Sequence, residues 1–258
     1  MKNIIGILVL MAGTVMVSPC LPDLAAGPED TNVLLITIDT IRADGIGCYG
    51  SDRVKTPNID ALAENGALFT RAFAHNPMTL PSHTNIFLGA TPLYHGVHEN
   101  SKAVVAENFM TLAEFLKEKG YATGAFIGAF PLDSRFGLAQ GFDVYDESYP
   151  SKPEEAFTLA ERRADKVIAA AMDWLGKQSS RWFAWIHLWD PHAPYLPPGE
   201  FLDLYKTDPY SGEIAYTDSE LGKLMDFLKV NRFQDNTIII LTGDHGEAFG
   251  EHGEDKHG

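Results

Sequence analysis

Ile238-Ile239-Ile240-Leu241-Thr242-Gly243-Asp244-His245-Gly246-Glu247 is the stretch whose reading decides the fold. A short β-branched run ending in Gly-Asp-His-Gly reads as a buried strand that delivers a carboxylate and an imidazole, side by side, to a loop at its C-terminal end. Near the other end of the chain, Val33-Leu34-Leu35-Ile36-Thr37-Ile38 runs into Asp39 in the same way. In open α/β sheets, ligands sit beyond the carboxyl ends of strands. Adjacent oxygen and nitrogen donors suit a divalent metal such as zinc or manganese. Two strands aiming acids at one edge predict a metalloenzyme.

Between these strands, helical and strand patterns alternate. Thr56-Pro57 opens a helix that Gly66 closes, with Pro at the first turn and Gly after the last. Residues 67–74 alternate like a strand, and 81–88 form a short helix. Thr111-Leu112-Ala113-Glu114 is a capping box. Strands are expected over 121–127, 182–188 and 237–241, and helices over 154–177 and 216–230. The stretch 130–153 reads as a long acidic, aromatic loop shaping a substrate rim. Strands separated by helices imply an α/β fold, with a mostly parallel central sheet covered by helices on both faces.

The 258 residues are enough for a substantial core, and length alone allows one large domain or two small ones. A formal net charge of −15 argues against a nucleic-acid partner, which needs a basic face. An anionic substrate has to be drawn in by a metal or by local cations against that field. Lys2 followed by an apolar run over 4–17 and then Ala25-Ala26-Gly27 fits a secretory leader over 1–26, with no transmembrane span after its removal. Cys20 is the alternative lipoprotein cysteine, although Pro19 before it matches poorly. Without the leader Cys48 stands alone, which rules out an internal disulfide framework. The protein is expected to be exported, to the periplasm, the exterior or a lipid anchor at the cell surface. The chain stops in a loop rich in His and Glu, which reads as a truncated catalytic domain over 32–258.

All nine histidines lie between His75 and His257. His187 sits inside a strand and reads as a core histidine. In Pro77-Met78-Thr79-Leu80-Pro81-Ser82-His83-Thr84, Pro81 fits the first turn of a helix and places Thr79 at its start. Unpaired N–H groups there make an anion site, and a hydroxyl held beside a metal is a plausible nucleophile. The structural alternative is a helix cap by Thr79 or Ser82.

These motifs, in their order, converge on a family. Asp39-Thr40-Ile41-Arg42-Ala43-Asp44 with Gly47-Cys48-Tyr49-Gly50 resembles the opening of sulfatase-like members of the alkaline phosphatase superfamily. So do Thr56-Pro57-Asn58-Ile59-Asp60-Ala61-Leu62, Thr79-Leu80-Pro81-Ser82-His83 with Gly89, His95-Gly96-Val97-His98-Glu99-Asn100, and Gly243-Asp244-His245-Gly246-Glu247. The resemblance runs from about Asn32 to the last residue. It implies that Asp39, Asp244 and His245 are ligands of one divalent metal, and that Thr79 is the nucleophile and itself touches the metal. Asn100 and His192, the latter in Asp190-Pro191-His192-Ala193-Pro194, would contact the substrate's charged oxygens. His83 stands where the family often has Arg, and a histidine there could hold the nucleophile's hydrogen bond or contact substrate.

Sulfatases proper carry Cys or Ser at the Thr79 position, whereas threonine occurs among the superfamily's phosphodiesterases and headgroup transferases. Thr40 after Asp39, in place of a second acid, favours a small site for Zn or Mn over a many-oxygen calcium site. The expected activity is therefore metal-dependent hydrolysis of a small anionic ester, carried on a sugar or a lipid, with phosphoester chemistry favoured by Thr79. His252 or His257 could protonate the leaving alkoxide. The alternatives are a sulfuric ester hydrolase of arylsulfatase type and a truncated, non-catalytic metal- or anion-binding module.

Overall fold

In the central strand of the sheet, Trp182-Phe183-Ala184-Trp185-Ile186-His187-Leu188, all seven residues are buried, as expected where helices cover both faces. The computed structural model describes residues 31–100, 102–149 and 161–257, without the side chain of His252. The leader over 1–26, Cys20 and the first part of the helix expected over 154–177 lie outside them.

Five parallel strands build the sheet among the described residues: β1 (Asn32–Ile38), β2 (Ala122–Ile127), β3 (Val144–Asp146), β4 (Trp182–Leu188) and β5 (Thr237–Gly243), in the order β3-β2-β4-β1-β5. Seven α-helices accompany them: α1 (Pro57–Asn65), α2 (Thr79–Leu88), α3 (Pro92–His95), α4 (Leu112–Glu118), α5 (Ala164–Leu175), α6 (Glu200–Leu204) and α7 (Pro209–Val230). No described helix is long and apolar enough to cross a membrane.

Period-2 alternation sorts the strands into two cores. Leu34, Ile36 and Ile38 of β1, with Trp182, Ala184, Ile186 and Leu188 of β4, pack with α5 and α7. On the opposite face, Leu35, Phe183 and Trp185 pack with Leu80 and Phe87 of α2 and Ala113 of α4. Thr37 and Asp39 continue that second face past Leu35. Thr37 lies in register with His187 on one side and Thr242 on the other. Thr37 and His187 thus place buried polar side chains toward the C-terminal edge of the sheet on the α2 face.

The predicted helix–strand alternation holds, with four local differences. Residues 67–74 form no strand: they are exposed coil, with the Phe69 carbonyl accepting from the Tyr49 hydroxyl (3.0 Å). Alternating apolar residues need a neighbouring strand to pair with, and none lies alongside among the described residues. The stretch expected as loop over 130–153 includes β3, a three-residue edge strand paired with Gly124 to Phe126. Helix α7 starts at Pro209 and not near Tyr216. Pro209 occupies its first turn, and the Asp208 carboxylate accepts from Ser211 N (3.3 Å) and Ser211 Oγ (2.6 Å). Helix α5, where described, begins at Ala164.

Candidate active site

Asp39 lies directly beyond β1, and Asp244 and His245 directly beyond β5, so the pairing of these two strands fixes the three side chains at one sheet edge. One donor atom from each lies within 4.8 Å of the other two. His245 Nε2 is 3.6 Å from Asp39 Oδ1 and 3.4 Å from Asp244 Oδ2. Both oxygens of Asp39 and Oδ2 of Asp244 are buried without a hydrogen-bond partner. Leaving ionised oxygens so is costly unless a cation compensates.

Burial raises the pKa of Asp39, and burial with the neighbouring Asp39 charge raises that of Asp244. For His245, burial acts downward, but Asp244 and Asp39 outweigh it and the pKa is raised. Two acids that resist ionisation beside an imidazole that attracts a proton describe a site short of positive charge. Its two carboxylates and one imidazole fit a divalent ion of zinc or manganese type.

The neighbouring backbone is shaped to the same end. Thr40 adopts φ 52°, the left-handed region that a β-branched residue rarely enters. Three hydrogen bonds hold it there: its N–H to Asp244 Oδ1 (3.3 Å), its hydroxyl to the Pro191 carbonyl (2.7 Å), and its carbonyl from Tyr210 Oη (2.8 Å). His245 N also donates to Asp244 Oδ1 (2.7 Å). One oxygen of Asp244 is thus fixed by backbone donors while the other faces Asp39 and His245. The single sequence gives no signal for the conformation of Thr40.

Thr79 begins α2, is 1% exposed, and places Oγ1 3.5 Å from His245 Nε2. Neither Thr79 nor Ser82 caps the helix by its side chain; Ser82 Oγ instead donates to the Asp244 carbonyl and ties α2 to the metal-ligand loop. The capping oxygen comes from Asn100, whose Oδ1 accepts from Leu80 N (2.9 Å). That use of the carbonyl leaves the amide N–H pair of Asn100 as its donor end. The expected cluster of free N–H groups at the helix start is reduced to one. Asn100 takes that of Leu80, Pro81 has none, and Ser82 N bonds the Met78 carbonyl (3.0 Å). Among the described residues, the Thr79 N–H is what remains for an incoming anion. His95 holds this arrangement from outside: Val97 N donates to its Nδ1 (3.1 Å), so Nε2 donates to Asn85 Oδ1 on α2 (2.8 Å).

His83 lies one turn into α2, wholly buried. Its Nδ1 donates to the Thr79 carbonyl (2.7 Å), and burial pushes its pKa down to about 3. It cannot serve as the permanent cation that Arg supplies at the same position. His187 is a core histidine as expected, yet its Nε2 sits 3.5 Å from Asp39 Oδ2.

In the loop after β4, His192 stacks on Trp189 at 3.6 Å between centroids, and its Nδ1 donates to the Ala193 carbonyl (2.7 Å). Its pKa is lowered, chiefly by burial. His257 meets His192 edge-on at 4.9 Å and lies 4.7 Å from the His245 ring. Its Nδ1 is 2.9 Å from Glu247 Oε1, and Glu247 Oε2 accepts from Tyr195 Oη (2.8 Å). Burial alone would raise the Glu247 carboxyl, but the bonds from His257 and Tyr195 prevail and bring it to about 2. Glu247 is therefore an anion at neutral pH and orients His257 by Nδ1. Of the two expected proton donors, His257 joins the site, while the side chain of His252 lies outside the described residues. The sequence reading assigned Glu247 no role.

Comparison with known proteins follows this geometry. The Sulfatase family model matches residues 31–258. Human iduronate 2-sulfatase is 25% identical over 310 residues, covering 86% of this chain and 56% of the relative. The ulvan-active sulfatase of Formosa agariphila is 25% identical over 266 residues, covering 86% of this chain and 52% of the relative. The chain thus spans about half the length of these curated relatives. Among solved structures, the phosphonate monoester hydrolase of Agrobacterium radiobacter superposes with a TM-score of 0.73 at 23% identity, covering 88% of this chain and 64% of that one. The family match takes in every site residue described above, and the chain belongs to the sulfatase family.

Proposed function

We propose that this protein is a metal-dependent ester hydrolase in which Thr79 is the nucleophile, with phosphoesters, diesters above all, as its preferred substrates. The observation that carries this reading is a buried threonine hydroxyl 3.5 Å from His245, beside two buried carboxylates with unpartnered oxygens. A divalent cation bound by Asp39, Asp244 and His245 would supply the charge that favours the ionised hydroxyl and offsets the substrate's negative oxygens.

In this reading Thr79 Oγ1 attacks phosphorus in line with the leaving oxygen, whose bond to phosphorus breaks, and forms a phosphothreonine that, from a diester, still carries the second ester group. The Thr79 N–H, the Asn100 amide and His192 hold the equatorial oxygens. His257, oriented by Glu247, gives its Nε2 proton to the leaving alkoxide; in the second half-reaction it takes a proton from the water that displaces Thr79 and releases the phosphomonoester, or phosphate where the substrate was itself a monoester. The sugar-sulfate names of relatives suggest a small anionic ester carried on a sugar. The leader read over 1–26 supports a reaction outside the cytoplasm.

A second reading, sulfuric ester hydrolysis, is favoured by those same names. Turnover of nitrophenyl phosphodiesters, phosphomonoesters, phosphonates and sulfate separates the two. A phosphorus ester should exceed the sulfate in kcat/KM by at least about tenfold, the equivalent of 1.4 kcal/mol in the barrier. A preference for the sulfate would reverse the assignment. Stoichiometric metal without turnover on any ester would favour the non-catalytic binding module.

The role of His257 has its own signature. In His257→Gln, esters with poor alkyl leaving groups should lose roughly 10²–10⁴-fold in kcat, the usual worth of a general acid. Nitrophenyl esters, whose leaving group needs no proton, should lose only a few-fold. Equal losses on both would remove His257 from the proton path.

A further inference from the structure

Buried groups that this mechanism leaves unused lie on the α2 face of the sheet, two residues before Asp39 on β1 and beside it on β4. Thr37 and His187 lie in register on neighbouring strands, and both are fully buried. Thr37 Oγ1 is 2.9 Å from His187 Nδ1, 3.0 Å from His83 Nε2, and accepts from Trp185 Nε1 (3.0 Å). The far ends of the two rings reach the site: His83 Nδ1 donates to the Thr79 carbonyl (2.7 Å), and His187 Nε2 lies 3.5 Å from Asp39 Oδ2 without another partner. One hydroxyl therefore joins the nucleophile's own peptide group to the metal-ligand carboxylate through two imidazoles.

The hydroxyl carries one hydrogen and has an imidazole nitrogen on each of two sides. Only one ring can receive that hydrogen, and the other must donate to the oxygen. The tautomers of His83 and His187 are consequently set together. Because His83 Nδ1 donates to the Thr79 carbonyl, its Nε2 receives the hydroxyl hydrogen, His187 Nδ1 donates to Thr37, and His187 Nε2 turns a lone pair toward Asp39 and the cation site.

We propose that His83–Thr37–His187 is a positioning relay, with Thr37 as its pivot, that couples cation binding at Asp39 to the placement of Thr79. It rests on the cation site proposed above. Partners behind a metal ligand typically contribute 10–100-fold to affinity, and the relay is expected to fall in that range.

The test is the affinity of purified protein for zinc and for manganese, measured by chelator competition, with the thermal stability of the metal-free form as a folding control. Thr37→Val, isosteric but without the hydroxyl, should weaken binding by about 10–100-fold, as should His187→Gln. Thr37→Ser should bind within about threefold of wild type, since it keeps the hydroxyl on which all three contacts converge. The double variant should lose no more than the worse single one, because both break the same relay. Thr84→Val, which removes a buried bond to the Leu80 carbonyl (2.7 Å) outside the relay, should bind as wild type. If Thr37→Val does not fold, Trp185→Phe removes the indole donor to the same oxygen, along with part of the ring's packing, and should cost about 2–10-fold. Wild-type affinity in Thr37→Val, or in Trp185→Phe in its place, overturns the relay, as does a double variant whose losses multiply. A wild-type protein that binds neither ion contradicts the cation site itself.

Discussion

Thr79→Ala is expected to lower kcat on the best ester substrate by roughly 10⁴–10⁶-fold, the scale on which nucleophile deletions fall. The hydroxyl is buried, stands 3.5 Å from His245 and makes no helix cap, so its removal takes away reactivity and little else. The Leu80 N–H keeps its Asn100 partner, and the bond from Ser82 to the Asp244 carbonyl is untouched. The folded protein should therefore keep its metal affinity to within a few-fold and its circular dichroism unchanged. Stopped assays on a nitrophenyl phosphodiester, with metal content measured on the same sample, check both halves. Turnover near the wild-type rate would show that Thr79 is not the nucleophile.

Asp39→Asn should produce the second large effect, and of opposite sign in the metal-free and metal-loaded protein. Loss of a ligand charge should weaken zinc or manganese binding by more than about 100-fold, beyond what a partner behind a ligand contributes. Turnover at micromolar metal should fall with it. In chelator the order inverts. Asp39 and Asp244 are buried together with raised pKa values, burial being the main cause. A raised carboxyl stabilises the metal-free fold below its unfolded value of 3.8 and loses that contribution as pH climbs through the folded value. At pH 7 the metal-free wild type must bury the Asp39 charge or take up a proton that the unfolded chain does not hold, and the amide variant does neither, so Asp39→Asn should melt higher. Added metal restores the wild type's advantage, since an ion at 100 times its Kd contributes about 2.7 kcal/mol. Thermal scans with chelator and with metal give the four values, and a wild type more stable than Asp39→Asn in chelator would contradict this account of the site.

Residue types at strand ends made much of this legible before any coordinates. Asp39, Asp244 and His245 follow β-branched runs, and parallel strands deliver whatever follows them to one edge. Pro81 and Gly89 bracketed α2 because proline tolerates a first turn, and Gly89, at φ 60°, ends the helix in the left-handed region. Other features depend on partners distant in sequence. Residues 67–74 have the pattern of a strand but no neighbour among the described residues to pair with, and β3 is too short to show a period. The cap on α2 comes from Asn100, twenty positions from Leu80. His187 looks like an ordinary core histidine until the register of β1 and β4 sets it beside Thr37. The left-handed Thr40 is held by Asp244, Pro191 and Tyr210, each more than 150 positions away.

The central claim is that Thr79 takes the phosphoryl group from the substrate. Rapid acid quench of wild-type protein with an aryl phosphodiester, followed by peptide mass spectrometry, reads this directly. The account predicts an adduct at Thr79 with the mass of the phosphoryl group plus the ester group not expelled, appearing within the first turnover and absent from Asp39→Asn. Steady turnover of the same substrate with Thr79 unmodified at every quench time would contradict it.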